Sequence, residues 1–291
     1  MPLLPPLVSQ QDLRAALGDE RAGRVRVFDA TVFLRRRVPG GPYQVTSGRP
    51  EYAAGHLPGA AFADIPGELS DPASPVSFTV PPAGHFAAAI GRLGVGDDTH
   101  VVAYAQDSPM WATRLWWLLR YFGHDAASVL DGGLLGWSAR GGAVEQGGHA
   151  YPATTFEARP RPDLLASLGD VKAVVDGVPA QLVNALSPAA FRGDGPGSYS
   201  RPGRIPGSVN VPWSQLVDET TNHFAPPHRL AGAFSEAGVG GDEPVIAYCG
   251  GGISATVDLF ALFLSGRPDA RLYDGSLTEW SAHPDLPLVT G

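Results

Sequence analysis

The amino-acid sequence repeats itself once, with a period of about 143 to 148 residues. Three segments of the first half recur in the second half in the same order: residues 55–60 as 203–208, 92–104 as 236–248, and 131–137 as 274–280. A period of this length is far too long for a solenoid, whose repeats span about 20 to 50 residues. It is close to the size of one globular domain. The sequence therefore predicts two copies of one domain joined end to end.

Each copy alternates short apolar runs with segments of helical periodicity. The predicted strands are residues 26–28, 101–104 and 128–130 in the first copy and 180–183, 245–248 and 271–273 in the second. Such alternation favours an α/β fold, in which a parallel sheet carries helices on both faces. We expect a first domain over residues 1–145, a proline-containing linker over 146–167 and a second domain over 168–291.

Cys249 is the only cysteine among the 291 residues. It follows an apolar run and precedes three glycines and a second apolar run with helical spacing. We therefore expect it at the carboxyl end of a strand, in a loop that leads into a helix capped by Ser254 and ended by Gly266. The dipole and the unpaired N–H groups of a helix N-terminus favour a thiolate there. The alternative is that Cys249 is a small buried apolar residue, as many lone cysteines are.

The repeat does not extend to this loop. Ala105 occupies the position of Cys249 in the first copy, and the loop that follows, residues 106–111, is one residue longer and has no glycine run. A purely structural cysteine would not require that the glycines accompany it. The difference predicts one working site, in the second copy, and one supporting copy.

The paired motifs carry a family resemblance. The Gly-His/Arg-Leu/Ile-Pro-Gly motifs at 55–59 and 203–207, the Asp-Gly motifs that lead to Trp137 and Trp280, and the Tyr-Cys-Gly-Gly-Gly loop at 248–252 resemble those of the tandem-domain rhodaneses. These are the thiosulfate and 3-mercaptopyruvate sulfurtransferases, and the resemblance covers nearly the whole chain. It implies two rhodanese-like α/β domains, the N-terminal one non-catalytic and the C-terminal one catalytic, with the site near the cleft between them.

The resemblance also implies a chemistry for Cys249. Its thiolate would take a sulfane sulfur from a donor and hold it as a persulfide until an acceptor removes it, which is covalent catalysis in two half-reactions. Backbone N–H groups of the following loop would surround the anionic sulfur, and glycine permits the backbone angles that this requires. The residues assigned to this cradle are Gly250, Gly251, Gly252, Ile253 and Ser254.

A cysteine phosphatase is the main rival enzyme with such a loop. These enzymes place an arginine six positions after the nucleophile, where its planar fork binds phosphate. In this chain that position is Ala255, and no basic residue occurs between Cys249 and Leu264. Phosphatase activity is therefore disfavoured.

The loop sequence also bears on the sulfur donor. Family members that prefer thiosulfate tend to carry basic residues directly after the cysteine, whereas those that prefer mercaptopyruvate tend to read Cys-Gly-Ser-Gly-Val-Thr. This chain reads Cys-Gly-Gly-Gly-Ile-Ser, which is closer to the second pattern and departs from it at Gly251. Mercaptopyruvate is thus slightly ahead of thiosulfate as the expected donor.

A donor with a carboxylate calls for cations or N–H donors. The resemblance assigns substrate binding to Arg192 and to His56, and Arg201 and Arg204 are placed to assist. For Arg201 and Arg204 the alternative is a solvated loop charge, and for His56 it is a structural hydrogen bond. Asn184 stands where the family usually has an aspartate, which alters the mouth of the site. No metal and no organic cofactor is expected.

Composition narrows the class of partner and the compartment. A net charge of −8 argues against a general nucleic-acid or membrane-surface role, so the expected partners are a small sulfur donor and an acceptor such as cyanide, a small thiol or thioredoxin. A single cysteine excludes an intramolecular disulfide and favours a reducing compartment. Residues 1–8 lack the basic region of a signal peptide, so we expect a cytoplasmic protein. A second function stays open: a persulfide carrier or binding module of rhodanese fold with weak turnover of small molecules.

Overall fold

The computed structural model describes residues 3–36, 43–194 and 199–291. The elements of the first half are β1 (Leu7–Val8), α1 (Gln10–Leu17), β2 (Val25–Asp29), β3 (Val32–Arg36), β4 (Tyr43–Ser47), α2 (Arg49–Ala54), β5 (Ala61–Phe62), α3 (Ile65–Glu68), α4 (Ala83–Arg92), β6 (His100–Tyr104), α5 (Met110–Tyr121), β7 (Ala127–Leu130) and α6 (Gly133–Ala139). Those of the second half are β8 (Leu165–Ala166), α7 (Leu168–Val175), β9 (Gln181–Asn184), α8 (Pro188–Arg192), β10 (Val209–Asn210), α9 (Pro227–Glu236), β11 (Val245–Tyr248), α10 (Ala255–Leu264), β12 (Arg271–Tyr273) and α11 (Ser276–Ala282). Short 3₁₀ turns lie at Pro162–Leu164 and Trp213–Gln215.

The two halves contain the same sheet. The strand order is β1-β7-β6-β2-β5 in the first half and β8-β12-β11-β9-β10 in the second, and the strands of both sheets pair in parallel. Position by position the second sheet matches the first, which confirms the duplicated α/β fold. The first half adds an antiparallel hairpin, β3–β4, beside its sheet.

Both faces of each sheet are covered, and this is visible in the central strands. In β6, Val101 and Ala103 pack into one apolar cluster with α5, while Val102 and Tyr104 pack into another with α1 and α6. The residues of β11 divide in the same way between the cluster that contains α10 and the one that contains α7 and α11. Strands that are apolar on both faces require helices on both faces, as the sequence predicted.

The two halves meet through equivalent helices. Thr113 of α5 and Thr256 of α10 are 143 positions apart, and their hydroxyl oxygens lie 2.8 Å from each other in a hydrogen bond. Beside them the ring of Trp116 packs edge-on against that of Phe260, with centroids 4.7 Å apart. One apolar cluster runs through this contact from the first sheet to the second. The interface therefore joins the copies about a pseudo-twofold axis.

The segment predicted as a linker is more closely bound than expected. Its end, Leu165–Ala166, forms β8 and pairs with β12, so the second sheet begins inside the predicted linker. Before it, Thr154 N–H donates to the Gly91 carbonyl and Arg159 N–H to the Phe122 carbonyl, both at 2.9 Å. Prolines keep this segment extended, as predicted, and its backbone hydrogen bonds fasten it to the first half. Within the described ranges, no helix has the length and apolar character needed to cross a membrane.

Candidate active site

Cys249 lies directly after β11, at the carboxyl edge of the second sheet. It is 2% exposed, and α10 begins six residues later at Ala255. The predicted strand, loop and helix are therefore confirmed, and Gly266, with φ +88°, follows the last turn as expected. Ser254 occupies the N-cap position, but its side chain makes no capping hydrogen bond. Its backbone there is helical rather than extended, so its hydroxyl does not reach the next free N–H groups.

The loop is held from below by the start of α11. The N–H groups of Cys249 and Gly252 both donate to Ser276 Oγ, at 3.0 and 3.2 Å. Thr278 donates its backbone N–H and its hydroxyl to the Gly250 carbonyl, at 2.9 and 2.7 Å. Ser276 has a φ of 51°, which is rare for a residue with a side chain and places its hydroxyl under the loop. Two residues of α11 thus fix both ends of the glycine turn.

An arginine of the first half reaches the same loop. Arg114 of α5 is fully buried, and its Nη1 donates to the Gly252 carbonyl at 3.2 Å and to Asp274 Oδ1 at 2.7 Å. Its Nη2 donates to the Phe78 carbonyl. The other oxygen of Asp274 accepts the N–H of Val80 at 2.7 Å. A buried ion pair with all these partners fixes its neighbours in one geometry, so Arg114 joins the first half to the cradle of the second.

The three glycines of the loop differ in what they require. Gly252 has a φ of +74°, and a Cβ there would collide with Asp274. A Cβ on Gly250 would collide with the hydroxyl of Tyr199. At Gly251 the nearest atom to such a Cβ would be Thr278 Oγ1 at 3.8 Å, an ordinary contact distance. Gly252 is therefore required by its backbone angle and by sterics, and Gly250 is restricted only by the position of the Tyr199 side chain. Gly251, where the family pattern has serine, is restricted by neither.

Several N–H groups of the loop are unoccupied. Those of Gly250, Gly251, Ile253 and Ser254 have no hydrogen-bond acceptor among residues 3–36, 43–194 and 199–291. Successive N–H groups of this kind bind anions. The same loop borders a cavity of about 560 Å³ between the two halves of the chain, and Cys249 is part of its lining. The arrangement provides a buried thiol, donors for a negative sulfur and space for a small molecule beside it.

Comparison with known proteins identifies the family and the fold. A family model for the rhodanese-like domain matches the chain twice, over residues 34–140 and 167–283. The chain belongs to the rhodanese family. The 3-mercaptopyruvate sulfurtransferase of Escherichia coli strain K12 is 39% identical to it over 240 residues, which is 82% of this rhodanese and 84% of the relative. The human 3-mercaptopyruvate sulfurtransferase is 36% identical over 98% of this chain and 95% of its own. The crystal structure of SseA from Escherichia coli superposes with a TM-score of 0.81 at 32% identity, over 93% of this chain and 98% of that one.

The predicted cradle residues come together in this rhodanese. Gly250, Gly251, Ile253 and Ser254 line the cavity with Cys249. Gly252 is turned into the protein, since its N–H and its carbonyl are bound by Ser276 and Arg114.

The three predicted substrate arginines lie elsewhere. Arg192 is exposed and pairs with Asp194 at 2.7 Å. Arg201 donates to the carbonyls of Ser281, His283 and Leu286 at 2.6 to 3.1 Å, and Arg204 donates to the Gly291 carbonyl at 2.7 Å. In the described conformation none of these arginines lines the cavity. Arg201 and Arg204 fasten the C-terminal segment in this conformation, and their roles in substrate binding stay predictions.

His56 is buried in the first half. Its Nδ1 lies 2.9 Å from the Tyr52 carbonyl oxygen, and its ring stacks on that of Tyr52 with centroids 4.2 Å apart. Its backbone pairs with Glu145 in an isolated bridge. The histidine is not part of the cavity lining described here. The contacts match the structural alternative, in which it fixes the turn before Leu57.

Sequence reasoning missed four residues at the loop: Arg114, Ser276, Thr278 and Asp258. Asp258 of α10 is fully buried, and neither of its carboxylate oxygens has a hydrogen-bond partner in the described structure. Burial, and to a smaller extent the charge of a Cys249 thiolate, raise the pKa of Asp258 well above its ordinary value. For Asp258 the available signal was a charged residue within the apolar predicted helix that follows the only cysteine.

Proposed function

We propose that this rhodanese is a sulfurtransferase that carries the transferred sulfur as a persulfide on Cys249. The observation that carries the proposal is the loop after β11, whose free N–H groups and buried cysteine border the cavity between the two halves. The two relatives named above are sulfurtransferases and match 82% and 98% of this chain. On this proposal the half up to about residue 145 is non-catalytic and the half from about 168 carries the nucleophile.

The reaction takes place in two half-reactions. In the first, the Cys249 thiolate attacks the sulfane sulfur of the donor, a sulfur–sulfur bond forms, and the rest of the donor leaves with the electron pair of the broken bond. In the second, a nucleophilic acceptor attacks the outer sulfur and the thiolate is released. The N–H groups of Gly250, Gly251, Ile253 and Ser254 stabilise the anionic sulfur at both stages. Ser276 and Arg114 keep the loop in position without contacting the reacting atoms.

For the donor, we propose mercaptopyruvate ahead of thiosulfate, as the loop sequence suggests. Gly251, which has space for a side chain, is the position where the mercaptopyruvate pattern has serine. Cyanide, a small thiol or thioredoxin can act as acceptor, and the single cysteine supports a cytoplasmic, reducing environment. The arginines 192, 201 and 204 and His56 are not used in this mechanism because they do not border the cavity.

The test is the intact mass of the protein after incubation with each donor. We expect a gain of one sulfur atom with 3-mercaptopyruvate and with thiosulfate, located at Cys249 and removed by cyanide. Cys249→Ser is the control and gains nothing. No adduct with either donor would contradict the proposal. A stable adduct without turnover of any small donor would favour the persulfide carrier instead.

A further inference from the structure

The cavity beside Cys249 has two chemically different parts. One, the loop face, consists of Cys249, Gly250, Gly251, Ser254 and Thr278. The other, the apolar wall, comes mainly from the first half of the chain and the segment after β10. It includes Leu34, Val45, Phe78, Trp111, Trp213 and Ile253. A persulfide on the loop face would therefore stand opposite aromatic and aliphatic side chains.

The cavity is larger than small sulfur donors need. Its volume of about 560 Å³ lies within the range of roughly 300 to 1,000 Å³ that is typical of pockets for drug-sized organic ligands. Thiosulfate and mercaptopyruvate have few atoms beyond those that react. The apolar wall is thus in excess of what loading the cysteine demands, and it offers binding free energy to a molecule with an apolar body.

The N–H groups of the loop can hold one anionic group, and the side chains of the cavity lining favour a neutral body beside it. Asp107 is the one carboxylate of the lining, and among the described lining residues there is no lysine, arginine or histidine. Burial raises the pKa of Asp107, and the charge of Arg35 opposes that shift only in part. A second anionic group bound beside it would be repelled, whereas a neutral body would not.

We propose that the sulfur acceptor of this enzyme is an uncharged thiol with an apolar, aromatic body that binds against the apolar wall. The inference rests on the proposed function. The acceptor binds as the uncharged thiol, its proton passes to the outer sulfur of the anionic Cys249 persulfide, and its sulfur attacks that outer sulfur so that a bond forms between the two. The bond to Cys249 Sγ breaks and its electron pair stays on the cysteine, which returns to the thiolate. The product is the acceptor's persulfide, and no external oxidant or reductant is consumed.

The test uses enzyme that has first been loaded with sulfur and freed of donor. Its discharge is then followed by intact mass with benzyl mercaptan and with 2-mercaptoethanol, two uncharged alkyl thiols of similar acidity. We expect benzyl mercaptan to discharge the persulfide at least tenfold faster at low concentration, a difference of about 1.4 kcal/mol. Equal rates, or a faster reaction with 2-mercaptoethanol, would overturn the inference while leaving the proposed function intact. Failure to load overturns the proposed function and, with it, the inference.

A pair of variants on one strand locates the effect. Val45 of β4 lines the cavity and is 38% exposed, so Val45→Asp places a charge in the apolar wall without disturbing a packed core. Thr46→Asp adds the same charge on the opposite face of the same strand, because successive side chains alternate. We expect Val45→Asp to reduce the preference for benzyl mercaptan at least fivefold and Thr46→Asp to leave it unchanged. The same preference in both variants would contradict binding at this wall.

Discussion

The loops after β6 and β11 are the same backbone corner used for two purposes. In the first, the Leu134 N–H donates to the Ala105 carbonyl at 3.3 Å, and in the second the Leu277 N–H donates to the Cys249 carbonyl at 3.2 Å. The residue before each donor has nearly the same backbone angle, with a φ of 53° at Gly133 and 51° at Ser276. This backbone arrangement is therefore common to both halves of the fold and is not sufficient to form a site.

The difference lies in how each loop satisfies its polar groups. In the first half Gln106 closes the corner, since its N–H donates to Thr31 Oγ1 and its amide to Asp29 Oδ2, both at 2.9 Å. A Cβ at Gly133 would collide with the Ala105 carbonyl, so a serine is excluded there. In the second half Ser276 accepts two N–H groups of the loop, and four others have no acceptor within the described part of the chain. The corner of the second half thus places N–H groups beside a cysteine at the cavity, whereas that of the first half places a glutamine side chain against Asp29.

The contact between the two halves also differs on its two sides. The side chain of Asp131 accepts the Phe224 N–H at 2.9 Å, just as Asp274 accepts the Val80 N–H at 2.7 Å, so each half receives a backbone donor from the other. Of these two aspartates, Asp274 alone is also bound by an arginine among the residues that the structure describes. The residue 143 positions after Arg114 is Val257, which offers the first loop no such support.

The largest effect is expected from moving the cysteine to the other loop. In the double variant Cys249→Ser with Ala105→Cys, the thiol stands in a corner already closed by Gln106. We expect no persulfide and a complete loss of sulfur transfer, measured by intact mass and by cyanide-dependent turnover. Formation of a persulfide at position 105 would show that this backbone arrangement alone is sufficient.

Removal of Arg114 should break the support of the working loop. Arg114→Met leaves Asp274 buried without its partner, and loss of one member of a buried ion pair costs about 3–5 kcal/mol. We expect that loss of unfolding free energy in urea titrations, together with an at least tenfold slower loading of Cys249 under conditions where the variant is folded.

Two further variants separate an effect of Arg114 on the position of the loop from an effect on the stability of the protein. Thr113→Val removes the hydrogen bond between equivalent threonines and should cost about 1 kcal/mol without slowing the loading step. The double variant Arg114→Met with Asp274→Asn removes both charges and should regain stability but not the loading rate. Full recovery of the rate in that double variant would mean that Arg114 acts only through stability.

The glycines of the loop should differ as their surroundings do. Gly252→Ala forces a side chain into a positive φ and against Asp274, which we expect to cost about 1–3 kcal/mol and to slow loading several-fold. Gly251→Ala has space and should be nearly silent in both measurements. The pair is compared by thermal unfolding and by the rate of mass gain. Equal effects at the two positions would contradict the described geometry.

The smallest effect on activity is expected at Asp258, where the readout is the pH dependence of stability. Burial raises the folded-state pKa of this carboxyl above its ordinary value of 3.8, so the folded protein keeps a proton that the unfolded chain loses. The free energy of unfolding therefore falls as the pH rises above about 4, by at most about 1.4 kcal/mol per pH unit. Asp258→Asn removes this contribution, and its stability relative to the parent should increase between pH 5 and pH 8. A difference that is constant with pH would show that the carboxyl is ionised in the folded state.

Local sequence signals predicted the strands and the loop well, and the contacts between residues distant in sequence poorly. The strands around Val101 and Val245 and the loop at Cys249 follow from apolar runs, glycine placement and the repeat, all of which are read over a few residues. Arg114 contacts Gly252 and Asp274, which are 138 and 160 positions away, and no local pattern reports such a contact. An alignment of the two copies does show the arginine as a departure from Val257.

For the predicted substrate arginines, the sequence carried no indication of the groups that their side chains contact. Arg201 was expected to bind substrate because of the segment on which it lies, but its guanidinium donates to carbonyls that are 80 and 85 positions away. Arg192 is occupied by Asp194, two residues along the chain. A motif indicates the position of a charged residue in the chain. The hydrogen-bond acceptors near that residue decide which groups its side chain contacts.

The position of Arg114 has a consequence for how such a chain can be recombined. The half that lacks the cysteine supplies the arginine on which the other half's loop rests, so the two halves are not interchangeable modules. A chimera that takes its first half from a duplicated relative without this arginine would inherit a complete glycine loop and an unmatched Asp274. Exchange of either half alone would therefore separate Arg114 from the loop that it supports.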